Sequence, residues 1–474
     1  MPSHWQIESV LSRIQSIRTE IERVAAKDHP YAEPGIVYSA LLLVLDRSEK
    51  KVTQALSLYP KNPTLGDRAT VVTLETEDKV LQDVAAIFNL ADRVDSARIP
   101  FEIIRALSWA AKSLLQARCH TIIRLDTVYT YSIWSCREKF EEKDFGRQWR
   151  LAVEEIGSSI EDPVLLLGFP STAAGSTLLH AIAAHEFAHV LKNERKSDIS
   201  RKLDGLAISL TTNRCNSSAD ALDGYARDTT IRRPGVSEKE ALKLRRDQLE
   251  DSIKVAVRFW FSEVFCDLVA ARLVGPAFLA ALDRLTPTSA DSPSLTHPPI
   301  SVRRSLVSDY LQTEIPNLPL DDVWQDVLRS VTAGDDIDLP WIICEEVITE
   351  GAPKISQIVN EVIISSPFGW VTDLNAFLAS VEESLEYLSP PSAGLKLAGN
   401  VEDANYFWLL MFAAWRFRLT PKKFEGFKQT YGWTERKAEE ALSNLLLHSL
   451  QSIELRSRWL EKYGTGLLAT AKTT

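Results

Sequence analysis

The chain has 474 residues, 45% of them hydrophobic and 25% charged, with a formal net charge of −10. That composition is globular, and the length points to more than one core. An acidic balance without a long basic run excludes the usual kind of nucleic-acid binder. The five cysteines, Cys119, Cys136, Cys215, Cys266 and Cys344, are scattered and never spaced C-x-x-C. They predict neither a disulfide framework nor a cysteine metal cluster, and they suit a reducing compartment. The polar N-terminus lacks the apolar core of a signal peptide, and no stretch is long and uncharged enough to span a bilayer. The expectation is a cytoplasmic protein with no membrane span.

In chain order, residues 5–25 place Ile7, Val10, Leu11, Ile14, Ile17 and Ile21 on one helical stripe. Residues 38–59 read as a second helix. A break at YPKNPTLGD follows, then a third helix over 77–90. Pro100 marks a helix start before FEIIRALSWAAKSLLQAR. HTIIRLDTVYTYSIW (120–134) is rich in Thr, Ile, Val and Tyr and predicts one or two strands; PVLLLGFP (163–170) predicts a buried strand. Residues 192–249 are polar and read as an insertion or surface hairpin. Ser237 and Glu240 form a capping-box pattern, predicting a long helix that runs to Val274 and stops at Gly275-Pro276. The remainder reads as helical, with breaks near IPNLP, AGDD, SSPFG and SPPSAG. The aromatic run ANYFWLLMFAAWRF reads as core.

The fold class that follows is mainly α with a small β-sheet beside the helix of residues 178–194. Three regions are expected: an N-terminal helical region (1–98), a central domain (99–310) carrying the insertion 192–249, and a C-terminal helical domain (311–474).

That helix, LLHAIAAHEFAHVLKNE, contains His185, Glu186 and His189 in the pattern H-E-x-x-H. Histidines at i and i+4 share a helix face, so both rings can reach one Zn2+, and the glutamate between them is placed to take a proton from an activated water. The surroundings are apolar, and ionisable groups there need partners. His180 lies off that face and reads as a structural histidine. A catalytic zinc takes a third protein ligand. Glu263 and Asp267, four apart in the apolar stretch RFWFSEVFCDLVAARL, supply candidates: Glu263 on the metal, and Asp267 accepting the free ring N–H of a ligand histidine. The alternative is a buried acidic pair held by Arg258 or Arg272. Two carboxylates on one apolar face need some cation. Cys266 falls on another face and reads as core. Tyr225 is a transition-state donor candidate by residue type alone.

HEFAH followed by EVFCD resembles the gluzincin metallopeptidases, whose pattern is H-E-x-x-H, a spacer, then E-x-x-x-D. His297-Pro298 with Arg303 six residues after the histidine is similar to an H-P-x-x-x-x-R feature of membrane gluzincins that process prenylated or misfolded proteins. The resemblance covers roughly residues 100–310. It implies a zincin-like catalytic domain with His185, His189 and Glu263 on zinc, Glu186 as general base, Asp267 behind the ligands, and His297 and Arg303 lining the cleft, where they stabilise an oxyanion. Those relatives are membrane proteins, whereas this chain carries no such span, and Glu263 follows His189 by 74 positions.

The expectation is therefore a selective or regulated zinc metallopeptidase acting on a protein or peptide, of the kind used in stress or phage defence, with a regulatory partner acting through the flanking helical regions. The alternative is a non-catalytic helical scaffold with a structural or vestigial zinc site. Only the first needs Glu186.

Overall fold

The computed structural model describes residues 4–26, 32–58, 63–91, 100–115, 120–126, 132–135, 143–157, 164–170, 176–194, 198–229, 237–285, 292–329, 338–364, 366–391 and 403–470. The described chain is mainly helical with one small sheet. It divides into two units, Met1–Gly175 and Ser176–Thr474. The predicted break at AGDD lies outside the described residues.

The first unit opens with three helices, α1 (His4–Ala25), α2 (Ala32–Leu58) and α3 (Pro63–Ala91), packed on one another. The α1 stripe is buried at Ile7, Val10, Ile14 and Ile21, with Leu11 and Ile17 packed at its edge. Helix α3 begins well before the predicted residue 77. Pro63 opens it, because proline at a first helical position loses no intrahelical hydrogen bond. Helix α4 (Phe101–Leu115), strands β1 (His120–Asp126) and β2 (Ser132–Ser135), helix α5 (Lys143–Glu155) and strand β3 (Val164–Pro170) complete the unit. The strand order is β1-β3-β2, with β3 parallel to β1 and antiparallel to β2. Consecutive Ile122 and Ile123 are both fully buried, so the strand is covered on both faces. That is why two apolar residues stand side by side at its centre instead of alternating with polar ones. Lys51 and Gln148 both donate to the buried Glu77 carboxylate, which anchors α2 and α5 to α3.

The second unit contains a 3-10 turn (Thr177–Ile182) and helices α6 (Ala183–Glu194), α7 (Ile199–Ser217), α8 (Ala219–Thr229), α9 (Glu238–Val274), α10 (Ala277–Leu285), α11 (Ile300–Glu314), α12 (Asp322–Leu328), α13 (Leu339–Val362), α14 (Leu374–Glu386), α15 (Asp403–Leu419), α16 (Pro421–Tyr431) and α17 (Glu435–Thr470). Strand β3 and the histidine helix α6, adjacent in sequence, thus belong to different units. Residues 311–474 share their unit with the histidine helix.

Helix α9 is the axis of this unit, and α6, α7, α8, α11, α13 and α15 all pack on it. Its start is the predicted capping box, with the Ser237 hydroxyl accepting from the Glu240 amide and the Glu240 carboxylate accepting from Ser237 N–H. Its end is Gly275, at φ 64°, with Pro276 next. A Cβ at Gly275 would sit 3.2 Å from both Phe368 and Phe412, so left-handed backbone and crowding require glycine there together.

Within the predicted insertion 192–249 the structure describes two helices, α7 and α8. Helix α7 buries Ile199, Leu203, Ala207, Leu210 and Cys215 against α9 and α13. The charged residues between those positions mask a regular helical stripe. The aromatic helix α15 is buried from Asn405 to Trp415, as expected for a helix apolar on every side. Among the described residues no helix is long and apolar enough to cross a membrane.

Candidate metal centre

Two helices of the second unit build the site. Helix α6 presents His185 and His189 one turn apart, and α9 presents Glu263 and Asp267 one turn apart. The 3-10 turn leading into α6 is wholly buried and pinned at its first two residues. Trp415 Nε1 donates to Leu178 O at 2.9 Å, and Thr177 Oγ1 donates to Ser443 O at 3.3 Å. The C-terminal helices α15 and α17 therefore fix where the histidine helix begins.

His185, His189 and Glu263 each offer one atom, all within 4.8 Å of one another, and could hold a metal ion. The two Nε2 atoms are 3.2 Å apart. His185 Nε2 lies 3.4 Å from Glu263 Oε2, and His189 Nε2 lies 3.5 Å from Glu263 Oε1. Ligands about 2.1 Å from a tetrahedral ion lie about 3.4 Å apart by simple geometry, and each histidine nitrogen lies near that distance from one of the two Glu263 oxygens. Glu263 Oε2 is buried and accepts no hydrogen bond among the described residues, an arrangement that suits a cation at that position.

Behind the ligands stands a buried chain of charge. His185 Nδ1 lies 2.9 Å from Asp267 Oδ1. Arg303 donates to both oxygens of Asp267, through Nε at 2.7 Å and a terminal nitrogen at 2.6 Å. On its other side the His185 ring stacks on Phe278 at 5.6 Å, with planes 5° apart. The ring that carries the Nε2 donor is thus held by a carboxylate at one edge and an aromatic face across its plane.

The electrostatics follow from burial and these contacts. Burial alone would lower the His185 pKa, but Asp267 and Glu263 outweigh it and raise it to about 10. Burial, with His185 beside it, lowers His189 to about 3. Burial would raise Glu263, yet His185 holds its carboxyl well below the usual range. The carboxylates of Glu263 and Asp267 thus favour a positive charge at this cluster. Burial pushes Glu186 up to about 7, against the pull of His185.

The other sequence candidates are placed plainly. His297 Nε2 lies 3.6 Å from Glu263 Oε2, with Thr296 Oγ1 2.8 Å from its Nδ1; the ring is exposed and stands at the open side of the cluster. Arg303 is 7% exposed and spent on Asp267, so its guanidinium neutralises a buried carboxylate instead of facing the cleft. Arg258 instead pairs with Asp204, and Arg272 binds Ile363 O and Asn360, so neither supplies the cation that the acidic pair needs. Tyr225 lies beside Asp338. Cys266 and His180 are fully buried. Burial lowers His180 to about 3, so it is neutral near pH 7. Phe278 and the C-terminal anchors of the 3-10 turn had no local signature, because they reach the site through packing.

Compared with known protein families, curated proteins and solved structures, the chain matches none.

Proposed function

We propose that this chain is a zinc-dependent peptidase of the cytoplasm that cuts selected protein or peptide substrates. The observation that carries this reading is the convergence of His185, His189 and Glu263, one ligand atom from each within 4.8 Å of the others, with Glu186 next to the first ligand. Two imidazole nitrogens and one carboxylate oxygen form a donor set that suits Zn2+. Zinc held there supplies Lewis acidity, which polarises a carbonyl and makes water acidic enough to attack near neutral pH.

The chain's own residues do the rest. Asp267 and Phe278 orient His185 so that its Nε2 faces His189 and Glu263. Arg303 keeps Asp267 charged in a buried place. Glu186, brought near neutrality by burial, takes a proton from the attacking water and passes it to the leaving amine. His297, exposed beside Glu263, is the group best placed to meet a developing oxyanion.

The test compares wild type with Glu263→Ala and Glu186→Gln for bound zinc and for hydrolysis of a peptide mixture. One zinc per chain is expected in wild type and Glu186→Gln and is lost in Glu263→Ala; peptides are cut by wild type alone. Equal cutting by Glu186→Gln would sink the catalytic reading. Zinc without cutting would leave a scaffold with a metal site, and no zinc in wild type would remove the centre altogether.

A further inference from the structure

Beside the ligand cluster lies a cleft of about 370 Å³ between α6, α7 and α9. Lys192 and Ser262 line it, and Val255 and Phe259, both about half exposed, give it an apolar wall. Helix geometry fixes its relation to the metal ligands. Lys192 follows His189 by three residues on α6, and Phe259 precedes Glu263 by four on α9. The cleft therefore begins one helical turn, about 5 Å, from the ligands.

The charges in this cleft do not cancel. Asp204 is answered by Arg258, which donates to its two oxygens at 3.0 and 3.2 Å. The Lys192 ammonium donates to the Ser262 hydroxyl and, among the described residues, meets no carboxylate. An uncompensated ammonium with a hydroxyl beside it, in a cleft with an apolar wall, is a binding place for a carboxylate on a short apolar stem.

Resting on the peptidase reading above, we infer that this cleft is the substrate-selecting subsite of the metal centre and that it takes an acidic group through Lys192. The acid is either a side-chain carboxylate of the substrate or the carboxylate at its chain end. Lys192 is a specificity-determining residue here and takes no part in the bond-breaking step.

The test needs no turnover. Peptide hydroxamates anchor on a zinc ion whatever the catalytic competence of the protein. One pair differs only in Glu against Gln beside the hydroxamate; a second differs only in a free C-terminal carboxylate against its amide. Binding of both pairs is measured by calorimetry on zinc-loaded full-length wild type, Lys192→Gln and Lys192→Glu, each first checked for zinc content and melting temperature. In wild type the acidic member of one pair should bind about tenfold tighter. Discrimination in the first pair assigns a side-chain acid, and in the second a chain end. The advantage should shrink to about twofold or less in Lys192→Gln and invert in Lys192→Glu. If Lys192→Glu fails to fold, Lys192→Gln decides. Zinc-loaded wild type that binds acid and amide alike in both pairs, or an acid preference that survives in the Lys192 variants, overturns the subsite alone. Wild type that takes up no zinc overturns the peptidase reading and the subsite with it.

Discussion

Replacing Arg303 with methionine removes the guanidinium that holds both oxygens of Asp267, and the structure sets the size of the effect. Asp267 is 1% exposed, and both its oxygens are held by Arg303 at 2.6 and 2.7 Å. Removing one partner of such a pair strands a buried charge, which costs about 3–5 kcal/mol of folding stability. A surface control makes the number meaningful. Arg258 and Asp204 also form a two-contact pair, but their side chains are 51% and 41% exposed. Arg258→Met should therefore cost about 0–1 kcal/mol. The double variant Arg303→Met with Asp267→Leu should recover most of the loss, because neither charge of that pair remains. It should keep a residue of about 1–3 kcal/mol, because His185 Nδ1 then lacks its carboxylate. Zinc affinity separates the two roles. With Asp267 gone, stability largely returns but zinc binding should stay about 10–100-fold weaker, since the His185 ring has lost the carboxylate at its Nδ1 edge. Urea unfolding and chelator competition read the two quantities independently. Arg303→Met no more destabilising than Arg258→Met would refute the buried-charge argument. Full zinc affinity in the double variant would refute the orienting role of Asp267.

Two further predictions rest on other parts of the second unit. His180 is buried with its pKa lowered to about 3, so between that value and about 6.5 the unfolded chain binds a proton that the folded chain does not. Stability from this group is full above the unfolded value and falls by about 1.4 kcal/mol per pH unit below it. Urea midpoints of wild type at pH 6.5 and pH 5 should therefore diverge by about 2 kcal/mol more than those of His180→Gln, and parallel curves would refute the assignment. Gly351 lies in α13, where an added Cβ would meet Phe261 Cζ at 2.4 Å. Gly351→Ala should cost about 1–3 kcal/mol despite the better helix former. Gly205→Ala, in α7 with nothing within 4 Å, should be neutral or stabilise by up to about 1 kcal/mol; calorimetric melting in which the two variants match would contradict this.

What the sequence made legible was local. The spacing of His185, Glu186 and His189, and that of Glu263 and Asp267, is helix periodicity, and docking α6 on α9 brings four of those side chains together. The Ser237 cap and the Gly275 stop are equally local, and both ends of α9 lie where their residue types put them. The partner of Asp267 was not legible. Arg303 sits 36 positions away on α11, and any of several arginines satisfies the same demand for charge. Nor was the helical stripe of α7, where Arg201, Lys202, Asp204 and Arg214 stand among the buried positions and make an internal helix look polar. The service of α15 and α17 to the histidine helix rests on Trp415 and Ser443, more than 200 positions from their partners, and no local pattern carries that information.

The centre is split between two stiff rods whose nearest ligands are 74 positions apart, and this bears on the order of events during folding. Helix α6 by itself can offer a metal ion two nitrogens while the chain is still open. The carboxylate arrives only when α9 docks, after the entropy of closing a long loop has been met. A full ligand set is therefore a late event that reports the joining of the two helices. Zinc present during refolding should change the rate at which the native state is lost more than the rate at which it forms. An ion held this way acts as a latch on a finished structure and contributes little to starting it.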